Sequence, residues 1–349
     1  MPDVNVSLMD KKTMLEVVRE LLPSDDFVGT TILPMKDEAT EKVMADLILT
    51  NSGIANYRAA DAEAELKGKD ILQQIILEIA DIAKKERFNT TDVQAIREAG
   101  ELPVLDDAPT LIAQIGAQAR VKFRESLEEL RRQCDNRIEW HSIQALLGTI
   151  SVTSPVVFSV DFGIPSTQTG LTPTVQWDTT ATSTPSDDLV AWQETVNDAT
   201  GVVPDGCLMS RKALLYASKA AAFRDVVKQA GEFLFSIKQV KSLLQDHTGL
   251  AISIYDAMYH TRASTGTLTS TRMLDYHKII LYPSNLPTPG LGRNLTCPHP
   301  HGNYQPGFYT WDDTKKDPWG YEVGVGIKCF PVIYQPRTLL NATVLSADV

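Results

Sequence analysis

The stretch from about Pro109 to Leu147 constrains this chain more than any other. Leu111, Ile115, Ala119, Phe123 and Leu127 recur every fourth residue, and Leu130, Cys134, Ile138 and Ala145 carry the stripe onward. That spacing lays one apolar seam along a helix of about 3.6 residues per turn. The opposite face is charged: Arg120, Lys122, Arg124, Glu128, Glu129, Arg131, Arg132 and Asp135. Arg124–Glu128 and Glu128–Arg132 stand one turn apart, where a pair adds roughly 0.3 kcal/mol. Asp106 and Asp107 are capping candidates, Pro109 suits the first turn, and Gly148 suits the left-handed position past the end. Such a helix spans about 55 Å, well beyond the usual globular length. It predicts a rod that carries an extended molecule. The alternative, a coiled-coil segment, needs a clean heptad that the charged face does not keep.

The chain has 349 residues, enough for two or more domains. With 43% hydrophobic and 22% charged residues it can bury a substantial core. A net charge of −11 argues against nucleic-acid binding as the main task, because phosphate contacts need clustered Lys and Arg. The start, Met1–Asp10, carries no signal-peptide pattern, and no apolar run approaches the roughly 20 residues of a membrane span. Cys134, Cys207, Cys297 and Cys329 are widely spaced and form no CxxC pair, which fits a reducing compartment.

Residues 1–50 read as an arm, with a helix over Lys11–Leu22 ended by Pro23 and an extended run over Phe27–Met35. Over Ile71–Lys85 the apolar residues fit a helix, and they also fit a strand pair, since Ile75, Leu77 and Ile79 alternate. Thr91–Ala99 is a short helix candidate, and the segment 51–108 reads as a projecting loop. Thr149–Phe162 alternates like a strand, and Pro165–Pro185 is a loop anchored by Trp177. From Ser186 the pattern is mixed: a helix capped by Ser186 and closed by Gly201, a strand near Val202–Met209, and helices over Ser210–Ala222 and Ile237–Gln245. Strands follow at Leu250–Tyr255 and Lys278–Leu281, with a polar hairpin tip at Arg262–Arg272 between them. Gly320–Tyr334 and Thr338–Leu345 close the chain as strands.

Candidate chemistry is sparse. Cys297-Pro298-His299-Pro300-His301 places one thiol and two imidazoles in five residues, a weak candidate for zinc or copper whose fourth ligand must come from elsewhere. The bland reading is a proline-stiffened surface loop. The acid pair Asp187-Asp188 is explained by helix capping, and Asp312-Asp313 sits in a polar turn; adjacent carboxylates rarely face each other across a cleft. His141 in the rod and His247 at a helix end have no visible nucleophile partner. There is no P-loop, GxSxG or HExxH pattern. No catalytic residue and no cofactor are assigned. A chain of this size with a rod, an arm, a projecting loop and no site reads as a structural subunit.

Short motifs in order carry a resemblance. Asn136-Arg137-Ile138-Glu139-Trp140 running to Leu146-Leu147-Gly148, then Val160-Asp161-Phe162-Gly163-Ile164-Pro165, Trp177-Asp178, Pro185-Ser186-Asp187-Asp188-Leu189, Asp317-Pro318 and Phe330-Pro331-Val332 resemble the major capsid proteins of tailed phages. Ala60-Asp61-Ala62 and Thr91–Arg97 resemble the flank of that family's extended loop. The likeness is to the lambda-type E family, over roughly residues 25–349, and implies the α+β HK97 fold. It implies an N-terminal arm at 1–50, an extended β-hairpin loop at 51–108, and a peripheral domain at 109–185 with its spine helix at 109–147. An axial domain at 186–320 and closing strands at 321–349 follow. It also turns the ambiguous Ile71–Lys85 towards strands.

The function implied is a major head protein that self-assembles into an icosahedral virion shell around double-stranded DNA, put together in the host cytoplasm. The implied partners are further copies, as hexamers and pentamers, together with a portal protein and a decoration protein. A separate scaffolding protein is expected, since no long segment precedes the arm. Packaged DNA would be touched only non-specifically, and no membrane is involved. Two alternatives stand beside this reading: an encapsulin-like nanocompartment shell, and a metal-dependent enzyme using Cys297, His299 and His301.

Overall fold

The computed structural model describes residues 11–40, 42–48, 72–89, 108–153, 157–221, 237–262, 267–316 and 319–346. The expected helix at 91–99 and the capping candidates Asp106 and Asp107 lie outside them. In chain order the elements begin with α1 (Lys11–Glu20), α2 (Gly29–Ile32), β1 (Met35–Asp37), β2 (Lys42–Ile48), β3 (Leu72–Glu78) and β4 (Asp81–Asn89). The long helix α3 (Ala108–Leu146) and the hairpin β5 (Thr149–Val152) and β6 (Phe158–Asp161) follow. Next come α4 (Pro185–Thr200), β7 (Gly206–Met209), α5 (Arg211–Lys219), α6 (Ile237–Thr248) and β8 (Ala251–Ile254). The chain ends with β9 (Met258–Arg262), β10 (Leu268–Arg272), β11 (Lys278–Tyr282), β12 (Gly292–Cys297), β13 (Phe308–Lys316), β14 (Trp319–Ile333) and β15 (Leu340–Thr343).

The rod predicted for 109–147 is α3, 39 residues long, and Gly148 just beyond it takes φ +99°, a left-handed value that suits glycine. Its apolar seam splits between two cores. Phe123, Leu127, Leu130, Cys134 and Ile138 pack with Met14 and Val18 of α1 against Tyr321, Val323, Val325 and Ile327 of β14. Each such side chain contributes roughly 1.5–3 kcal/mol on burial. Ile143, Ala145 and Leu146 enter a second core with Leu295 and Phe330.

The sheet under α3 is organised by β14. Lys328 pairs with both Cys297 of β12 and Asp81 of β4, so those two strands lie on opposite edges of β14. Ile327 pairs with Phe308 of β13 and with Ile82 of β4. Strands β12 and β13 therefore share one edge of β14, end to end, and residues 298–307 are looped out between them. β1 pairs in parallel with the outer side of β12. The open choice at Ile71–Lys85 resolves as two strands in different sheets: β3 pairs with β2, and β4 with β14.

A second, four-stranded sheet has the order β15-β11-β7-β8. Its alternating residues serve two cores. Cys207, Met209, Ile279 and Leu281 face Leu189, Trp192, Leu214, Val240 and Leu244 of α4, α5 and α6. Leu208, Ile280 and Tyr282 face the core shared with the end of α3. Trp177 is fully buried among the helices and donates its indole N–H to Asp188 at 2.9 Å, as expected of an anchored loop.

Several expectations change. The run Phe27–Met35 is interrupted by the helical turn α2, for a tertiary reason given below. Arg131 and Asp135, assigned to the solvated face, are buried at 6% and 4% exposure, because α1 and β13 cover that side. Ser186 does not cap α4; the helix starts at Pro185 without a side-chain cap, and Ser186 Oγ instead meets His247 Nδ1 at 2.7 Å. The polar tip after Arg262 is shorter than expected, since Leu268–Arg272 pairs with Met258–Arg262. Strands β12 and β13 were not foreseen. β12 carries a buried Asn294, and in β13 aromatic residues fall on both faces, so neither shows alternation.

Candidate functional site

The expected metal-ligand motif lies at the loop between β12 and β13, and its members go separate ways. Cys297, the last residue of β12, is fully buried and donates its thiol to the carbonyl of Thr40 at 2.8 Å. His299 stacks on Tyr309, with centroids 3.9 Å apart and planes 13° apart. His301 lies over Trp311 at 5.9 Å and beside His299 at 5.2 Å. The backbone N–H of His301 donates to Nδ1 of His299 at 3.2 Å, and Tyr309 donates its phenol to Asp81 at 2.6 Å. The rings form a stacked ladder, and the thiol points into the sheet. Among the described residues no group of three or more His, Cys, Asp or Glu is placed to hold a metal ion.

The ladder stands on glycines. Tyr309 pairs with Gly326 and Trp311 with Gly324 across β13 and β14. A Cβ on Gly324 would lie 2.2 Å from the indole of Trp311, and one on Gly326 would lie 2.5 Å from the Tyr309 ring. The aromatic rings occupy the space that side chains would take. On the same strand Glu322 lies between Lys85 and Lys315, at 2.7 Å and 2.9 Å. Their hydrogen bonds hold its carboxyl down at about 2. Asp312, expected in a turn, is a strand residue that accepts the Tyr321 phenol at 3.1 Å. Neither acid pair faces a cleft as a catalytic couple: Asp188 accepts the Trp177 indole, and Asp187 stands exposed on α4.

Glu139 is fully buried in α3 and accepts from three different groups. Its Oε1 accepts from the backbone N–H of Gly29 at 2.8 Å and from the Tyr255 phenol at 2.7 Å; Oε2 accepts from the N–H of Thr30 at 2.8 Å. One carboxylate thereby caps the N-terminus of α2, and this explains the helical turn in a segment read as extended. The same carboxylate links α2, α3 and the residue that follows β8. Burial raises its pKa, and the three donors oppose that rise. No nucleophile stands beside it: its partners are two amides and a phenol whose pKa burial pushes up. Next to Tyr255 lies a cavity of about 360 Å³, lined by Asp25, Asp26, Val28, Ile254, Asp256 and Ala257. Sequence reasoning met Glu139 only as part of a motif. A lone acid beside the seam of an amphipathic helix was the available signal.

Further along α3, one nitrogen of Arg131, Nη1, donates to both carboxylate oxygens of Asp135 at 2.6 Å. Arg131 also lies 3.4 Å above the Phe308 ring. His141 is 3% exposed, packs against Trp140 and Phe330, and has no hydrogen-bond partner for either ring nitrogen among the described residues. Burial, helped by the charge of Arg137, pushes its pKa down to about 3. No helix among the described residues is long and apolar enough to cross a membrane.

This architecture is shared with solved structures. The candidate capsid protein of a prophage in E. coli CFT073 superposes with a TM-score of 0.59 at 15% identity, covering 96% of this chain and 99% of its own. A phage-related protein from Bordetella bronchiseptica RB50 gives 0.52 at 14% identity, covering 95% and 96%. The α+β, HK97-like fold is thus the fold of this chain. No curated protein matches it in sequence. A family model described as phage major capsid protein E matches residues 10–344, nearly the whole length, and the chain belongs to that family.

Proposed function

We propose that this capsid protein tiles a closed icosahedral shell around packaged double-stranded DNA, through rings of six and five copies. The observation that carries the reading is that two of the three two-stranded sheets, β2–β3 and β9–β10, are hairpin-like pairs hydrogen-bonded only to themselves among the described residues. A lone hairpin is marginal in water and gains stability when another surface covers it. In a shell, neighbouring copies supply that surface through heterologous contacts, and overlapping projections bury more area than compact edges would. The proposed division has an arm at 1–50, an extended loop at 51–108, a peripheral part at 109–185, an axial part at 186–320 and closing strands at 321–349. Strands β12 and β13, although within 186–320, pair with β14 beneath α3. A separate scaffolding protein, a portal protein and a decoration protein are the proposed partners, with assembly in the host cytoplasm. The family and fold are those of structural proteins, and no enzymatic step is assigned.

The experiment is negative-stain electron microscopy of the purified chain, alone and co-expressed with a candidate scaffolding protein. Closed shells or tubes of ring-shaped units support the reading. A persistent monomer or dimer under all conditions overturns it. Cargo enzyme found inside natively isolated shells, in place of DNA, would favour the nanocompartment alternative.

A further inference from the structure

Helices α4 and α5 carry opposite charge on their outward faces. α4 has four acids, Asp187, Asp188, Glu194 and Asp198, and no Lys or Arg. Leu189, Trp192, Gln193 and Val196 are its buried side, and Asp187, Ala191, Glu194 and Asp198 form an exposed stripe directly opposite. Asp188 is committed to Trp177. α5 has Arg211, Lys212 and Lys219 and no acid. Ala213, Leu214 and Ala217 are buried, and Arg211, Leu215 and Lys219 form the exposed stripe, with Leu215 38% exposed. Lys219 extends over the ring of Tyr216 on its own helix. Among the described residues, Asp187, Glu194, Asp198, Arg211 and Lys219 make no ion pair within the chain. α6 packs against both helices, so the two stripes belong to one three-helix layer.

We propose that the acidic stripe of α4 in one copy docks on the basic stripe of α5 in the next copy, and that this head-to-tail pairing closes the ring. The acidic stripe, Asp187 to Asp198, covers about 16 Å and the basic stripe, Arg211 to Lys219, about 12 Å along their helices, so the basic stripe fits within the acidic one. Leu215 meets the small Ala191 between the charges. Two different patches on one chain make a heterologous contact, which closes into a ring or runs on as a filament. Exposed charges at such a contact set register and partner choice more than affinity, and salt weakens them. The inference rests on the shell reading and names the surfaces within it.

The test uses two variants of the full chain: Glu194→Lys with Asp198→Lys, and Arg211→Glu with Lys219→Glu. Asp187 is left in place because a cation at a helix N-terminus would destabilise the helix itself. Each variant alone is expected to fold, by circular dichroism, and to lose ring and shell assembly. Mixed together they should co-assemble in alternation. Strict alternation needs an even ring, so the mixture should give six-membered units in tubes or sheets and no closed shells. A chain carrying all four substitutions should recover closed shells. If the wild-type chain forms shells and either variant alone does so equally well, this inference falls and the shell reading stands. If the wild-type chain forms no shell, the shell reading falls. Sedimentation of the mixture against each variant alone then decides this inference: association only in the mixture supports it, and none overturns it. Should a reversed variant misfold, the neutral pairs Glu194→Gln with Asp198→Asn and Arg211→Gln with Lys219→Gln replace them. Assembly that keeps its wild-type salt dependence in both neutral pairs would overturn the proposal.

Discussion

Tyr255, at the end of β8, donates its phenol to Glu139, in the last third of α3, across 2.7 Å. The same carboxylate holds the first two amides of α2, so one side chain fixes α2 and the second sheet onto α3. Removing it leaves three buried or half-buried donors unpaired, each costing about 1–3 kcal/mol. Glu139→Ala is therefore expected to lose about 3 kcal/mol or more in chemical denaturation, Glu139→Gln less, and Tyr255→Phe about 1 kcal/mol. A Glu139→Ala variant as stable as wild type would show that the junction is held by apolar packing alone.

His141 is buried without a hydrogen-bond partner among the described residues, and its pKa sits near 3 in the fold against 6.5 unfolded. The unfolded chain binds the proton first, so this residue's contribution is present above pH 6.5 and is lost as pH falls towards 3. Asp135 works the other way. Burial, its largest influence, raises its carboxyl to about 6 against the pull of Arg131, so its contribution declines as pH rises from about 4 to 6. The two slopes overlap, so the useful quantity is the difference between variants. His141→Leu is expected to keep more of its neutral-pH stability at pH 4.5 than wild type does, by on the order of 1–3 kcal/mol. Parallel pH–stability curves for the two proteins would refute this.

Gly324 makes room for Trp311. Alanine there puts a methyl within the indole, and overpacking of this kind costs roughly 1–3 kcal/mol. Trp311→Ala should lose stability through unfilled space, yet should absorb Gly324→Ala at little further cost. A double-mutant cycle measures this coupling; additive losses would mean that the ring simply swings aside.

Zinc offers a direct check on the loop at 298–307. With Cys297 donating to Thr40 and His299 stacked on Tyr309, the protein is expected to retain zinc well below one equivalent after dialysis. His301→Ala should then alter stability slightly and metal content not at all. Stoichiometric zinc that disappears in that variant would put the metal reading ahead of the surface-loop one.

Glu322 bridges Lys85 and Lys315, which hold its carboxyl at about 2. Its contribution is present above the ordinary value near 4.5 and is lost as pH falls through 2. Glu322→Gln should lower the unfolding midpoint at neutral pH, with a smaller deficit in high salt, because exposed lysine charge is screened. A deficit independent of both salt and pH would point to packing instead.

The sequence by itself determined the elements whose signal is local. The seam from Phe123 to Ile138 declared α3, and Gly201 marked the end of α4 with its left-handed φ; Ser210, read as the first residue of a helix, caps α5 by accepting from the Ala213 N–H. The order of short motifs gave the family. What the tertiary structure decided were features that depend on partners far away in the chain. The turn α2 forms because Glu139, 110 residues on, caps its N-terminus. Arg131 and Asp135 belong to the inside because α1 folds across them. Strands β12 and β13 exist because β14 offers one long edge to both, and their residues, among them a buried asparagine and aromatics on both faces, carry no period of their own. Cys297, His299 and His301 are close in sequence but divided by a strand end, which sends the thiol inward and the rings outward. Local periodicity records which face of an element is buried. It does not record which distant surface does the burying, and that surface sets the fate of each polar residue here.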